Sequence, residues 1–329
     1  MLRFRQPRPL TGPTRSAVPT DPTTLGEALA EARPSAAGRP RRRRAGGRLL
    51  GFGAAVVLLG QCGNSCTPNT SGGAGTNPSP AAAAAPAATT PPGVGGGNTG
   101  NGQPNMDADG VFRVIAPGGQ LPSDEACAAA VRANPSPENR PRNVSYNNTA
   151  WHSIPGFYER ATGNFTGSTD DIIRWTACKW GYDEYVLRAQ AARESTGKMD
   201  ALGVWVSNSA QCLPGHPIGA DGRPGQCPGA IGIIQIFGYY FPQAIEGSTR
   251  STAYNLDIGI AIWRDCYEGG ESWLGNGYHA GDLWGCVGRF YSGAWYDSGA
   301  NWYINELQTW AAQKYWETSR YINDQGPSV

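Results

Sequence analysis

Residues 182–195 read YDEYVLRAQAARES, and the spacing of their apolar side chains decides the fold class. Tyr182, Tyr185, Val186 and Ala189 follow the i, i+3, i+4, i+7 pattern of a helix that turns one stripe towards a core. The pattern predicts a helix over about 183–194. Glu194 continues the row Leu187, Ala191, so a carboxylate closes a mainly apolar strip in the last turn. The backbone dipole is negative there and disfavours ionisation. The plainer role for Glu194 is a helix-end salt bridge with Arg193 or Lys198.

Working outward, a preceding helix is predicted to start at Ser168, whose hydroxyl can cap the chain with Asp171 three residues on, and to end at Gly181. It carries Ile172, Ile173, Trp175 and Trp180 inward. Downstream, Asn255 is predicted to cap a very apolar helix containing Leu256, Ile258, Ile260, Ile262 and Trp263, which Gly269 and Gly270 stop. A final amphipathic helix is expected over about 301–316, with Ile304, Leu307, Ala311 and Tyr315 on one face. The Gly-rich stretch 197–232 contains Val204-Trp205-Val206, which suits a short hairpin strand, and otherwise reads as loop. The class is mainly α.

The 46 Gly and 26 Pro among 329 residues are concentrated outside these helices, which leaves one folded domain. The formal charge of +1 conceals an asymmetry: residues 1–48 hold eleven Arg against Asp21, Glu27 and Glu31, so the remainder is acidic. That remainder lacks the basic footprint of phosphate-backbone binding, and nucleic acid is excluded as a partner. Residues 1–48 form a basic segment that ends in Arg39, Arg41, Arg42, Arg43, Arg44 and Arg48. The apolar run that follows, within 49–62, matches a secretory signal or a retained membrane anchor. It closes on Leu59-Gly60-Gln61-Cys62, which resembles a bacterial lipoprotein cleavage site with Gln61 where a small residue is usual. Residues 63–106 are rich in Ala, Pro and Gly and cannot build a core; as a flexible tether they would span roughly 35 Å. Residues 107–140 extend the folded domain at its start, 141–320 form its body and 321–329 its tail.

Cys127, Cys178, Cys212, Cys227, Cys266 and Cys286 form an even set, as expected of three disulfides in an oxidising, exported setting. Many pairings are open; proximity favours Cys212 with Cys227 and Cys266 with Cys286. His216 lies between Cys212 and Cys227, but no second His follows at ligand spacing, so neither metal nor cofactor is expected.

Three segments, in order, resemble the lytic transglycosylases of the lysozyme superfamily. They are Ala189-Gln190-Ala191-Ala192-Arg193-Glu194-Ser195, entered through Trp180-Gly181-Tyr182-Asp183; Gly229-Ala230-Ile231-Gly232-Ile233-Ile234-Gln235-Ile236; and Asn255-Leu256-Asp257-Ile258-Gly259-Ile260-Ala261. A fourth, Arg289-Phe290-Tyr291-Ser292-Gly293, is similar to the family's Tyr-Asn-x-Gly segment, with Ser292 replacing Asn. The likeness covers roughly 170–316, and the stretch between Glu194 and Gly232 is long for the family.

The resemblance implies a lysozyme-like α+β fold that cleaves the β-1,4 bond between N-acetylmuramic acid and N-acetylglucosamine in peptidoglycan. Glu194 is then the single acid and base, releasing a 1,6-anhydromuramic end. Ser195, Gly232, Ile234, Gln235, Asn255 and Tyr291 are expected around the substrate, Gln235 and Tyr291 orienting it. A goose-type lysozyme-like hydrolase is the nearest rival and needs a second carboxylate, for which Asp200 and Asp221 are the candidates. A wall-binding module without catalysis is a third reading. Bland roles stand beside these: a capping or buttressing Ser195, a Gln235 amide that satisfies loop backbone, a core aromatic at Tyr291. Trp205, Trp273, Trp284 and Trp295 suit either sugar stacking or core packing.

Overall fold

The computed structural model describes residues 102–136, 141–152, 158–275 and 277–324. The basic segment, the apolar run 49–62 and most of the tether lie outside these residues. The tether's last residues do not: Asn105 is buried and its side-chain amide donates to Val114 O at 2.9 Å, while Met106 bridges to Phe112. The folded region therefore begins slightly before residue 107.

The chain is mainly helical with one small sheet, as its periodicities predict. Helix α1 spans Asp124–Ala133, α2 Val144–Asn147, α3 Thr169–Trp180 and α4 Glu184–Ser195. Strands β1 (Leu202–Val206), β2 (Cys227–Ile231) and β3 (Ile236–Phe237) follow, then α5 (Ile245–Ser248), α6 (Thr252–Glu268), α7 (Leu283–Ser292), α8 (Ser298–Ala312) and α9 (Ser319–Asp324).

Two capping expectations hold. Ser168 Oγ accepts from Asp171 N at 3.0 Å, and Gly181 ends α3 in the left-handed conformation at φ 56°. Asp183 caps α4 by accepting from the amides of Tyr185 and Val186. Two others are corrected. Helix α6 is capped one turn earlier than expected, by Ser251, whose hydroxyl accepts from Tyr254 N; Asn255 sits inside the helix, and its amide is used elsewhere. Helix α8 runs from 298 to 312 rather than to 316, because Lys314 turns the backbone to φ 47° and Tyr315 enters a 3₁₀ turn, where its ring stacks back on Trp310.

Helices α3 and α6 form the centre. Every residue of α3 and nearly all of α6 are buried, including charged ones. Lys179 Nζ is wholly enclosed and meets Asp257 at 2.7 Å, Asp124 at 2.9 Å and Thr162 Oγ at 2.9 Å. Asp257 in turn accepts from Trp180 Nε1 at 2.6 Å and Gly163 N at 2.8 Å. Each partner compensates the desolvation of the other, so the cluster ties α1, α3 and α6 in one arrangement.

The sheet is antiparallel in the order β1-β2-β3, with Leu202 opposite Ile231, Val206 opposite Cys227, and Ile231 opposite Ile236. The expected hairpin strand at 204–206 is β1, but the Gly-rich stretch supplies β2 as well, and β2 is buried along its whole length. Three disulfides join Cys127 to Cys178, Cys212 to Cys227 and Cys266 to Cys286, so both proximity pairs are present. They link α1 to α3, close the β1–β2 loop at its base, and link α6 to α7. No helix among the described residues is long and apolar enough to cross a membrane.

Candidate active site

Helix α4 delivers Glu194 to its penultimate position, after which Thr196 turns left-handed at φ 57° and ends the helix. The carboxyl is held from the side by α8: Tyr303 Oη donates to Glu194 Oε1. Tyr303 is itself fully buried. Burial pushes the Glu194 carboxyl up from 4.5 to about 7; the Tyr303 hydrogen bond and the charge of Arg193 oppose the rise, and the charge of Glu306 adds to it. The residue nonetheless keeps an accessible edge, being neither wholly buried nor exposed. A salt bridge to Arg193 is not what holds it, because Arg193 Nε pairs with Glu306 at 2.6 Å.

A turn at 232–236 is fastened beside the acid. The Ser195 hydroxyl lies 2.9 Å from Ile233 O and 3.1 Å from Ala191 O, donating there, and accepts from Lys198 N at 3.1 Å. From α6, Asn255 Oδ1 accepts from Ile234 N at 3.0 Å, and its Nδ2 donates to Ile231 O at 3.2 Å. Gly232 adopts φ 92°, and a Cβ there would sit 2.4 Å from Asn255 Nδ2, so glycine is required for both conformation and space. Gln235 adopts φ 55°, and its Nε2 donates to Gly232 O at 2.8 Å and Ala201 O at 3.0 Å.

These contacts revise several expected roles. Ile234 and Asn255 are fully buried and Ser195 and Gly232 nearly so; they build the turn and offer no surface to a substrate. Gln235 spends its amide nitrogen on loop carbonyls, the plainer of its two roles. Tyr291 is different. It is 45 % exposed, and its ring lies flat on Tyr303 at 4.6 Å, inside the electrostatic reach of Glu194.

Of the expected second carboxylates, Asp200 pairs with Arg142 and Asp221 with His216 Nδ1 at 3.0 Å, and neither is among the charges acting on Glu194. Glu306 is, through α8. Of the four tryptophans weighed for sugar stacking, Trp284 is core, Trp295 packs on Tyr278 and Tyr296, Trp205 lies under Arg223 and Trp273 under Arg289. The residues that sequence missed are Tyr303, Trp302 and Glu306. All three sit on the last long helix, where alternation of buried and exposed aromatics was the available signal. Among the described residues no cluster of metal-ligating side chains is present, and Cys212 and Cys227 are spent in a disulfide. A recess of about 520 Å³ is lined by the β1–β2 loop, including His216 and Ile218, and not by Glu194.

Comparison of the chain with protein-family models, with curated proteins and with solved structures gave no match. The chemistry of the site is therefore read from its own geometry. A carboxyl fixed by a buried tyrosine and poised near neutrality can give up a proton and take it back at the same pH.

Proposed function

We propose that this chain is an exported glycan-cleaving enzyme of lysozyme-like fold, acting on the peptidoglycan bond between N-acetylmuramic acid and N-acetylglucosamine with Glu194 as its acid and base. One observation carries the reading: the Glu194 carboxyl, clamped by Tyr303 and next in the chain to the Ser195 that fastens the 232–236 turn, is desolvated within a residue that stays partly accessible, and the exposed Tyr291 ring stacks on the tyrosine that clamps it. Cleavage needs a carboxylic acid still protonated near neutral pH to deliver a proton to the leaving oxygen as the ring gains oxocarbenium character. Burial supplies that acid.

Neither Asp200 nor Asp221 acts on Glu194, and Glu306, the carboxylate that does, is engaged by Arg193 at 2.6 Å, so a single-carboxylate route fits better than a two-carboxylate one. In that route Glu194 protonates the glycosidic oxygen, the substrate's N-acetyl group assists, and Glu194 then takes the proton of the 6-hydroxyl as it closes a 1,6-anhydro ring. The three disulfides suit an oxidising, exported setting.

The test is digestion of purified peptidoglycan by the full chain, with mass analysis of the products. Anhydro ends are expected. Reducing ends would replace this reading with hydrolysis, and intact strands carrying bound protein would replace it with a wall-binding module. Glu194→Gln should lower the rate by at least about a hundredfold with an unchanged circular-dichroism spectrum; undiminished cleavage by that variant removes Glu194 from the chemistry.

A further inference from the structure

Helix α8 does two things with neighbouring residues. Tyr303 turns inward and holds Glu194, while Trp302, one residue earlier, is 45 % exposed. Tyr291 of α7 connects them: its ring is stacked on Tyr303 at 4.6 Å and 8°, and meets Trp302 at 5.5 Å and 51°. Tyr291 and Trp302 thus form a continuous pair of accessible aromatic surfaces leading away from the acid. Trp302 is the one exposed tryptophan among the described residues, and with the exposed Tyr291 it lies against Tyr303 and Arg193, two of the groups that act on the desolvated Glu194 carboxyl.

The surroundings of Trp302 are built as well. The Arg193 guanidinium lies 4.9 Å from the centre of its ring, and Arg193 is in turn fixed by Glu306 at 2.6 Å, one helical turn from Trp302 on α8. A cation over one side restrains the indole, and the Arg193–Glu306 pair puts hydrogen-bond donors and acceptors at the platform's edge. An apolar plate rimmed by paired charges suits a pyranose, whose C–H face packs on aromatic rings while its hydroxyls reach outward. A second protein would call for a broader apolar patch than two rings.

The geometry points to Trp302 as the floor of a saccharide-binding subsite, shared with Tyr291 and bordered by Arg193 and Glu306, which holds an N-acetylhexosamine unit next to the one being cleaved. This rests on the reading of Glu194 as the acid of a glycan-cleaving enzyme, and it adds a residue that the resemblance to lytic transglycosylases did not supply. Its role is affinity and register of the strand, with the reacting bond left to Glu194.

The experiment uses the full chain carrying Glu194→Gln, titrated with a hexamer of N-acetylglucosamine and with soluble peptidoglycan strands. Trp302→Ala in that background should weaken binding at least roughly tenfold, and Trp302→Phe should recover most of the loss. In the Glu194→Gln protein with Trp302 intact, the indole N–H resonance of Trp302, assigned by its disappearance in Trp302→Phe, should shift on adding hexamer. That measurement decides the matter even where Trp302→Ala does not fold. Equal affinity with and without the indole, or a resonance that does not move, overturns the subsite, as does absence of any glycan binding. The two readings fail separately: glycan binding that depends on Trp302 in a protein that cuts nothing would sink the acid role of Glu194 and leave the subsite standing, whereas cleavage with Trp302-independent binding does the reverse.

Discussion

Replacing Glu194 by Gln changes stability in a way that depends on pH, and the dependence measures the desolvation on which the site relies. The folded carboxyl titrates at about 7 against an ordinary 4.5, with burial as the main cause. Between those values the folded protein keeps a proton that the unfolded chain has lost. The unfolded state then binds fewer protons, so stability falls as pH rises through this window and levels off above it. At about 1.4 kcal/mol per pH unit, the gap from 4.5 to about 7 corresponds to a penalty of about 3 kcal/mol once Glu194 is ionised. Gln carries no such penalty, and its carbonyl can still accept from Tyr303. Urea unfolding of disulfide-intact wild type and Glu194→Gln, from pH 4 to pH 8, should give nearly equal stabilities at the acid end. The variant should become more stable by about 3 kcal/mol at the alkaline end, or roughly 6–12 °C in Tm for a domain of this size. Glu271 is also pushed to about 7 by burial, but it is common to both proteins and cancels in the difference. A difference that stays flat across the range would mean that Glu194 is well solvated when charged, and the argument for a neutral-pH acid would fall.

Two further substitutions test the supports of the site. Asn255→Ala removes the two hydrogen bonds by which α6 fastens the 232–236 turn and strands Ile234 N and Ile231 O in the interior, so unfolding should cost about 2–4 kcal/mol less than in wild type; a loss under about 1 kcal/mol would show that the turn holds without it. Lys179→Met leaves Asp257 enclosed without its cation, and urea unfolding at neutral pH should register a loss of about 3–5 kcal/mol. The loss should shrink in acid, where Asp257, already raised by burial, accepts a proton; a constant loss would assign the effect to packing.

What the sequence revealed was whatever repeats along a single element. The periodicity of 182–195 located α4 and its terminal acid, and Ser168 and Gly181 bounded α3, because caps and stripes are local physics. The start of α6 was misplaced for an instructive reason. Ser251 and Asn255 are both good caps by residue type, and only the position of the 232–236 turn reveals that Asn255 is occupied by Ile234 and Ile231. Tyr303 and Glu306 were invisible as partners of Glu194 and Arg193, since they lie 109 and 113 residues away and meet them only after α8 packs on α4. The same distance separates what a motif names from what it touches: Gln235 and Asn255 stand at motif positions yet spend their amides on backbone.

The disulfide between Cys212 and Cys227 sits at the foot of the excursion joining β1 and β2, with Cys227 opening β2 directly opposite Val206. Leu213, which donates to Pro228 O at 2.9 Å, and Arg223, over the Trp205 ring, tie the clasped residues to the sheet, whereas the tip at 217–220 is exposed, so extending that tip perturbs closure entropy only as the logarithm of the residues added. That tip is thus a natural graft point, where a foreign peptide or reporter could be carried while the acid, its tyrosine and the turn keep their register.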